Sequence, residues 1–167
     1  MVHFISIVFS LLILMLSPMP SAALDFPRGP VVLTFSGLIT RSNLTGQAVL
    51  DTTILKSLPQ KEILTDTPWT EGPVKFEGPL LRDVLALVGA DGEVLKAKAI
   101  NDYFVDIPAS DAFDYDVILA MRMNESDMTI RSKGPLWLIY PWSDNDTLRS
   151  ETYYSRSIWQ LMSIDVQ

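Results

Sequence analysis

Apolar residues along this chain fall in short clusters, and their spacing changes from one cluster to the next. Val31-Val32-Leu33-Thr34-Phe35 is β-branched and aromatic and precedes Gly37, which predicts a strand, with residues 47–50 as its return partner. Asp51 stands where an N-cap belongs, ahead of a short helix to Leu58 that Pro59 closes. Residues 62–65 and 74–76 read as two more strands. From Pro79 the spacing shifts. Positions 80, 81, 84, 85 and 88 are apolar, the 3.6-residue period of a helix face, with Pro79 at a first-turn position and Gly89 at the end. Short segments follow at 96–100, 103–107, 117–121, 128–131, 136–140 and 158–166, separated by turn chemistry such as Asn101-Asp102 and Lys133-Gly134-Pro135. In the last segment, alternation puts Ile158, Gln160 and Met162 on one face and Trp159, Leu161 and Ser163 on the other. The pattern predicts an α+β class: a strand-rich core of mixed sheets, or a barrel-like one, with one main helix.

The first 23 residues follow a different rule. Residues 4–16 are apolar except for Ser6 and Ser10, and Ser17-Pro18-Met19-Pro20 then breaks the run. Ser21-Ala22-Ala23 supplies small residues for cutting before Leu24, which is the layout of a secretory signal. The run is short for a spanning helix, which needs about 20 residues. The expectation is a signal peptide over 1–23 and a single domain over 24–167, located outside the cytoplasm and not inserted in the membrane after cleavage. Asn-x-Ser/Thr triplets at Asn43, Asn124 and Asn145 are explained by a composition rich in those residues.

Composition narrows the chemistry. The chain has no cysteine, and its one histidine, His3, lies in the leader. This excludes a Cys nucleophile, a Ser-His-Asp triad, thiolate or imidazole zinc and haem ligation. The formal charge of −7 argues against nucleic acid as a partner. Carboxylate, hydroxyl, amine, guanidinium and aromatic groups remain.

Four clusters hold such groups in unusual density. Thr65-Asp66-Thr67-Pro68-Trp69 follows a strand, and a plain turn accounts for it as well as a site does. Asp102 and Tyr103 combine a carboxylate with an aromatic hydroxyl beside the turn residue Asn101. Arg131 and Lys133 flank the approach to Gly134-Pro135 in an otherwise acidic chain, where a solvated turn is the commoner role. Tyr153-Tyr154-Ser155-Arg156-Ser157-Ile158-Trp159-Gln160 packs aromatics, hydroxyls and a guanidinium ahead of a strand. Together these groups suit a flat, hydrogen-bonding heterocycle, which stacks on aromatic faces and is read by charged donors and acceptors. Carbohydrate sites use the same ingredients.

The order of several segments resembles the molybdopterin-binding domain of the sulfite oxidase family. Residues 76–85, Phe-Glu-Gly-Pro-Leu-Leu-Arg-Asp-Val-Leu, are similar to that family's aromatic-x-Gly-x-x-Leu-x-Asp-x-Leu helix entry. Residues 103–108 are similar to its Tyr-x-x-x-Ile-Pro segment, and 117–124 to the segment where Ala precedes Met-Asn-Gly. Residues 134–141 resemble its Gly-x-Pro-x-Arg-x-Val-x-Pro strand, and 157–161 its Lys-Trp-Leu entry to the last strand. The resemblance covers residues 60–167 and implies a sulfite-oxidase-like fold. The departures carry information. The family grips molybdenum through a cysteine upstream of the helix, and the nearest position here is Thr65, a poor ligand for such a metal. Glu125 replaces the Gly of Met-Asn-Gly, and Ser157, beside Arg156, replaces the final Lys.

A cysteine-free, secreted, single-domain version resembles bacterial periplasmic pterin-binding regulators, which act on an inner-membrane enzyme that makes or degrades cyclic-di-GMP. That resemblance implies a tetrahydropterin-like ligand, no molybdenum and no catalysis. It implies a periplasmic location and the periplasmic domain of a membrane signalling protein as partner. By it, Thr65, Trp69, Asp102, Tyr103, Arg131, Lys133, Arg156 and Ser157 are the candidate pterin-binding residues. Two alternatives stand beside this reading: a molybdopterin-dependent oxidoreductase subunit, and a non-catalytic interaction subunit without ligand.

Overall fold

Buried Leu33 and Phe35 alternate with half-buried Val32 and Thr34 along β1 (Val31–Gly37), and that alternation sets the strand inside a sheet. The computed structural model describes residues 23–167; the expected signal peptide, apart from Ala23, lies outside them. β1 belongs to a five-stranded sheet with β2 (Ala48–Asp51), β5 (Val94–Ala99), β6 (Phe104–Pro108) and β11 (Leu161–Val166), in the order β2-β1-β11-β5-β6. β1 runs parallel to β11, while the other neighbours are antiparallel. A second sheet has the order β3-β4-β8-β9, from β3 (Gln60–Thr65), β4 (Val74–Pro79), β8 (Arg122–Met123) and β9 (Ser126–Asp127). β7 (Ile118–Ala120) and β10 (Trp137–Ile139) form a buried pair between them in sequence. The class is α+β with mixed sheets, as the pattern predicts. Among the described residues no sheet closes into a barrel.

The layers meet where side chains are small. At Gly78 a Cβ would fall 1.9 Å from the Leu119 carbonyl oxygen, so only glycine lets β4 approach β7 this closely. Among the described residues four helices cover the sheets: α1 (Thr52–Ser57), α2 (Leu81–Val88), α3 (Asp111–Asp114) and α4 (Glu151–Arg156). α2, the longest, buries Leu81, Val84, Leu85 and Val88 and ends on Gly89 at φ 60°, the left-handed cap expected there. Pro79 closes β4 instead of opening the helix. Leu80 is the N-cap, and the Leu81 amide donates to the Val117 carbonyl at 2.8 Å, so the junction is fixed by a neighbouring segment.

Two local expectations change, and one further helix appears. Residues 128–131 are not a strand: Ile130–Ser132 form a 3-10 turn, because the Ser132 hydroxyl accepts from Thr129 N–H and so satisfies the chain locally. Residues 151–156 form α4, with Ser150 at the N-cap position and Glu151 in the first turn. The last strand starts at Leu161, not Ile158. Gln160 at φ 50° and a register shift between Leu161 and Ser163 break the alternation, which leaves Met162 exposed and Ile164 buried.

Asp51 holds the N-terminal segment. It is 1% exposed. Its Oδ1 accepts from the Ile54 amide at 2.8 Å, and its Oδ2 accepts from the Arg28 and Gly29 amides at 2.7 and 2.8 Å. The Ile54 bond is the main cause that draws its pKa below 3.8, against the opposing effect of burial. A depressed folded pKa contributes stability that is complete above 3.8 and is lost as pH falls through the folded value. Asp51→Ala is therefore expected to cost about 2 kcal/mol at neutral pH. The gap from the parent should narrow below pH 3.8, as urea melts at neutral and acid pH will show.

Candidate functional site

Trp69 follows β3 on a turn in which the Thr67 hydroxyl accepts from the Trp69 amide at 3.1 Å. The turn drives its ring into a cluster drawn from distant parts of the chain. Ring centroids lie 5.9 Å away at Trp137, 6.2 Å at Trp142, 6.1 Å at Tyr154 and 5.3 Å at Trp159. The last three contacts with Trp69 other than Trp137 are edge-on, the arrangement that ring quadrupoles favour. Trp142 Nε1 is the one buried side-chain donor without a partner among the described residues.

Half-buried Trp69 also forms a wall of an open pocket of about 320 Å³, a size that admits a small heterocycle. Trp159, Tyr154 and Tyr103 supply further aromatic wall, while Glu151, Asn101 and Ser155 supply polar groups. Ser157 lies at its base, buried, with its hydroxyl donating to the Tyr153 carbonyl at 2.7 Å. The Tyr103 hydroxyl donates to the Ser155 carbonyl at 3.0 Å, which ties the β5–β6 turn to α4 across the pocket.

Lys133 sits beyond the Trp159 wall. Its Nζ is 4.8 Å from the Trp159 centroid and 5.6 Å from that of Trp137, within cation–π range. Arg156 turns away from the pocket. Its guanidinium donates to Asp111 Oδ2 at 2.9 Å, and the Tyr140 hydroxyl donates to the same oxygen at 2.7 Å. Burial, followed by the Asp111 charge, pushes the Tyr140 hydroxyl far above its ordinary value. Next to this knot the Tyr115 hydroxyl is pushed up to about 12, first by its hydrogen bond with Tyr153 and then by burial.

Thr65 is fully buried. Its hydroxyl accepts from the Ser143 amide at 3.0 Å and lies 3.1 Å from the Ser143 hydroxyl. Asp66 takes both Arg149 terminal nitrogens at 2.8 Å, and Arg149, then Ser143, holds its carboxyl well below the usual range. Asp102 stands outside the pocket wall, at φ 64°, with its carboxylate 2.7 Å from Lys98 Nζ. Arg131 is exposed on the 3-10 turn. The structure therefore gathers Trp69, Tyr103 and Ser157 in the pocket and puts Lys133 behind one wall. It places Thr65 and Arg156 in the framework, and Asp102 and Arg131 outside. Of the other wall residues, Tyr154, Ser155 and Trp159 belong to the fourth sequence cluster without being named as contacts, Asn101 reads as a turn residue, and sequence reasoning does not single out Glu151. Four of these five share one short stretch with Ser157, and a Ser150 cap followed by Glu151 is the signal for the helix that presents them.

The family model for the oxidoreductase molybdopterin binding domain matches residues 29–144, more than half of the chain. The chain belongs to this family. Glu151, Tyr154 and Trp159 lie beyond the segment the molybdopterin-binding model matches. No curated protein sequence matches the chain. Among solved structures, the sulfane dehydrogenase SoxCD from Paracoccus pantotrophus is similar in fold, with a TM-score of 0.61 at 17% identity. The similarity covers 86% of this chain and 40% of that one, so this chain spans less than half of that protein's length.

Membership of the molybdopterin-binding family poses a chemical test. A molybdenum centre of the kind the sulfite oxidase resemblance implies takes a soft thiolate from its protein. This chain has no cysteine, and the Thr65 hydroxyl at the nearest position is engaged with Ser143 inside the fold. The donor set does not fit a metal gripped by the protein. The aromatic pocket does fit a planar organic ring.

The Asp111 knot supports the α4 wall, and Asp111 is only 4% exposed. Arg156→Ala strips the cation from a buried carboxylate and is expected to cost about 3 kcal/mol. Arg156→Lys, which keeps the charge, should cost less, as paired thermal melts will show.

Proposed function

We propose that this chain is a non-catalytic pterin-binding protein that takes a reduced, tetrahydropterin-like ring without molybdenum. The carrying observation is the pocket wall itself: Trp69, Tyr154 and Trp159 offer stacking faces, and Glu151 is its one carboxylate. A pterin presents an amino-pyrimidine edge with adjacent donors. The Glu151 carboxylate accepts from that edge while the aromatic rings hold the faces. Lys133, 4.8 Å from the Trp159 ring centroid and outside the pocket lining, adds positive charge beside that wall. With neither thiol nor imidazole on the wall, the pocket is suited to holding a ligand and not to turning it over.

The same reading places the protein in the periplasm, after cleavage at Ala23. There it acts on the periplasmic domain of an inner-membrane enzyme that makes or degrades cyclic-di-GMP. The leader-like residues 1–23 and the resemblance to periplasmic pterin-binding regulators support this role. Family membership favours one other reading, an oxidoreductase subunit that carries molybdopterin with the metal held by the cofactor alone.

Anaerobic titration with 6-methyltetrahydropterin should quench tryptophan fluorescence and saturate at one ligand per chain. Glu151→Gln should weaken that binding by about tenfold, or about 1.4 kcal/mol. Because Glu151 is exposed, its unfolding free energy should stay within about 0.5 kcal/mol of the parent. No saturation at millimolar pterin overturns the proposal. Stoichiometric molybdenum in protein purified from the periplasm decides for the oxidoreductase. In cells, loss of the protein should change cyclic-di-GMP levels, and the Glu151→Gln form should fail to restore them.

A further inference from the structure

Among the described residues, β3 is the longest strand at a sheet edge. At the β2 edge the Asn43 side chain accepts from the Val49 amide at 2.8 Å and donates to its carbonyl at 2.9 Å. At the β6 edge α4 lies alongside, with Tyr103 bonded to Ser155. β9, at one side of the second sheet, has only two residues. On the other side of that sheet, β3 has six residues and pairs with β4 alone.

The register shows which main-chain groups β3 leaves free. The Lys75 and Glu77 carbonyls accept from the Asn124 and Met121 amides, both at 2.8 Å, so those two residues of β4 turn their main-chain groups away from β3. Their partners across the ladder are Leu64 and Glu62. Main-chain groups alternate between the two sides of an antiparallel strand. Glu62 and Leu64 therefore aim their N–H and C=O groups outward, and Leu64 is 64% exposed.

A groove of about 460 Å³ runs along this edge, walled opposite by Pro141, Asp144, Leu148 and Asp114. Its cation, Lys61, is already engaged with Asp116, which Arg82 also holds. Asp114 and Asp144 have no ion pair among the described residues, and Glu62 has only an exposed contact with Lys75 at 3.4 Å. The open edge thus combines unused backbone groups with uncompensated negative charge.

We propose that the free edge of β3 takes up an extended, lysine- or arginine-bearing segment of a partner protein as an added strand. Backbone hydrogen bonds supply the attachment, and alternate side chains of the guest meet Leu64, Glu62 and the carboxylates of the groove. A second copy of this chain is the poorer guest. Antiparallel self-pairing about Glu62 sets that carboxylate against its own copy, between chains that each carry −7. The proposal does not rest on pterin binding and stands if that fails.

The test uses fluorescein-labelled (Lys-Val)4, with (Glu-Val)4 as the charge-reversed control, in anisotropy titrations of the purified protein. The lysine peptide should bind saturably at micromolar concentration in low salt, and the glutamate peptide at least about tenfold more weakly. Glu62→Lys should weaken the lysine peptide to a similar degree while the melting temperature is kept. The Glu62 and Leu64 amides should become protected from hydrogen exchange when the peptide is bound. Equal binding of both peptides, protection elsewhere, or no binding at millimolar peptide overturns the proposal. So does a dimer in sedimentation that protects those same amides without any peptide.

Discussion

The pocket exists because one buried carboxylate is shared. Asp111 receives both Arg156 and the Tyr140 hydroxyl on a single oxygen. Tyr140 follows β10, Arg156 ends α4, and Asp111 opens α3. A charge this far from water must be compensated locally, so the three elements are held in one relative position. α4 carries Glu151, Tyr154 and Ser155 to the pocket on the turns before Arg156. The geometry of the wall is therefore set by an interaction outside the pocket lining.

Around this anchor, the fold of the molybdopterin-binding family remains while the donor chemistry differs. The neighbourhood of Thr65 is a closed hydrogen-bonded unit with Ser143, Asp66 and Arg149. In place of an open ligand position it offers a neutral hydroxyl whose bonding is internal. The aromatic cluster about Trp69 lies beside it, and stacking asks only for planar faces at the right spacing.

The sequence made the larger features legible where one local rule decides the outcome. The α2 period, its Gly89 stop, and the Asp51 cap follow from spacing and capping alone, and each appears as expected. Ordered motifs pointed to the family because they span the close-packed joints, such as Gly78 against β7. Site residues were harder to read. Asp102 and Arg156 carry the right chemistry, but their direction depends on Lys98 and Asp111, partners that spacing does not reveal. Glu151 was missed because a single exposed acid at a helix start looks like ordinary capping. Only the fold brings it within one pocket of Trp69, which precedes it by about half of the chain.

The parallel ladder between β1 and β11 has a consequence for how the molecule is made. Ser36 and Asp165, 129 positions apart in sequence, hydrogen-bond at the middle of the five-stranded sheet. Until β11 has been synthesised, the sheet lacks its central member and β5–β6 has nothing to join to β1–β2. Such long-range closure is slow. The two strand pairs therefore stay apart until that segment arrives, which makes the β1–β11 junction a late step of assembly.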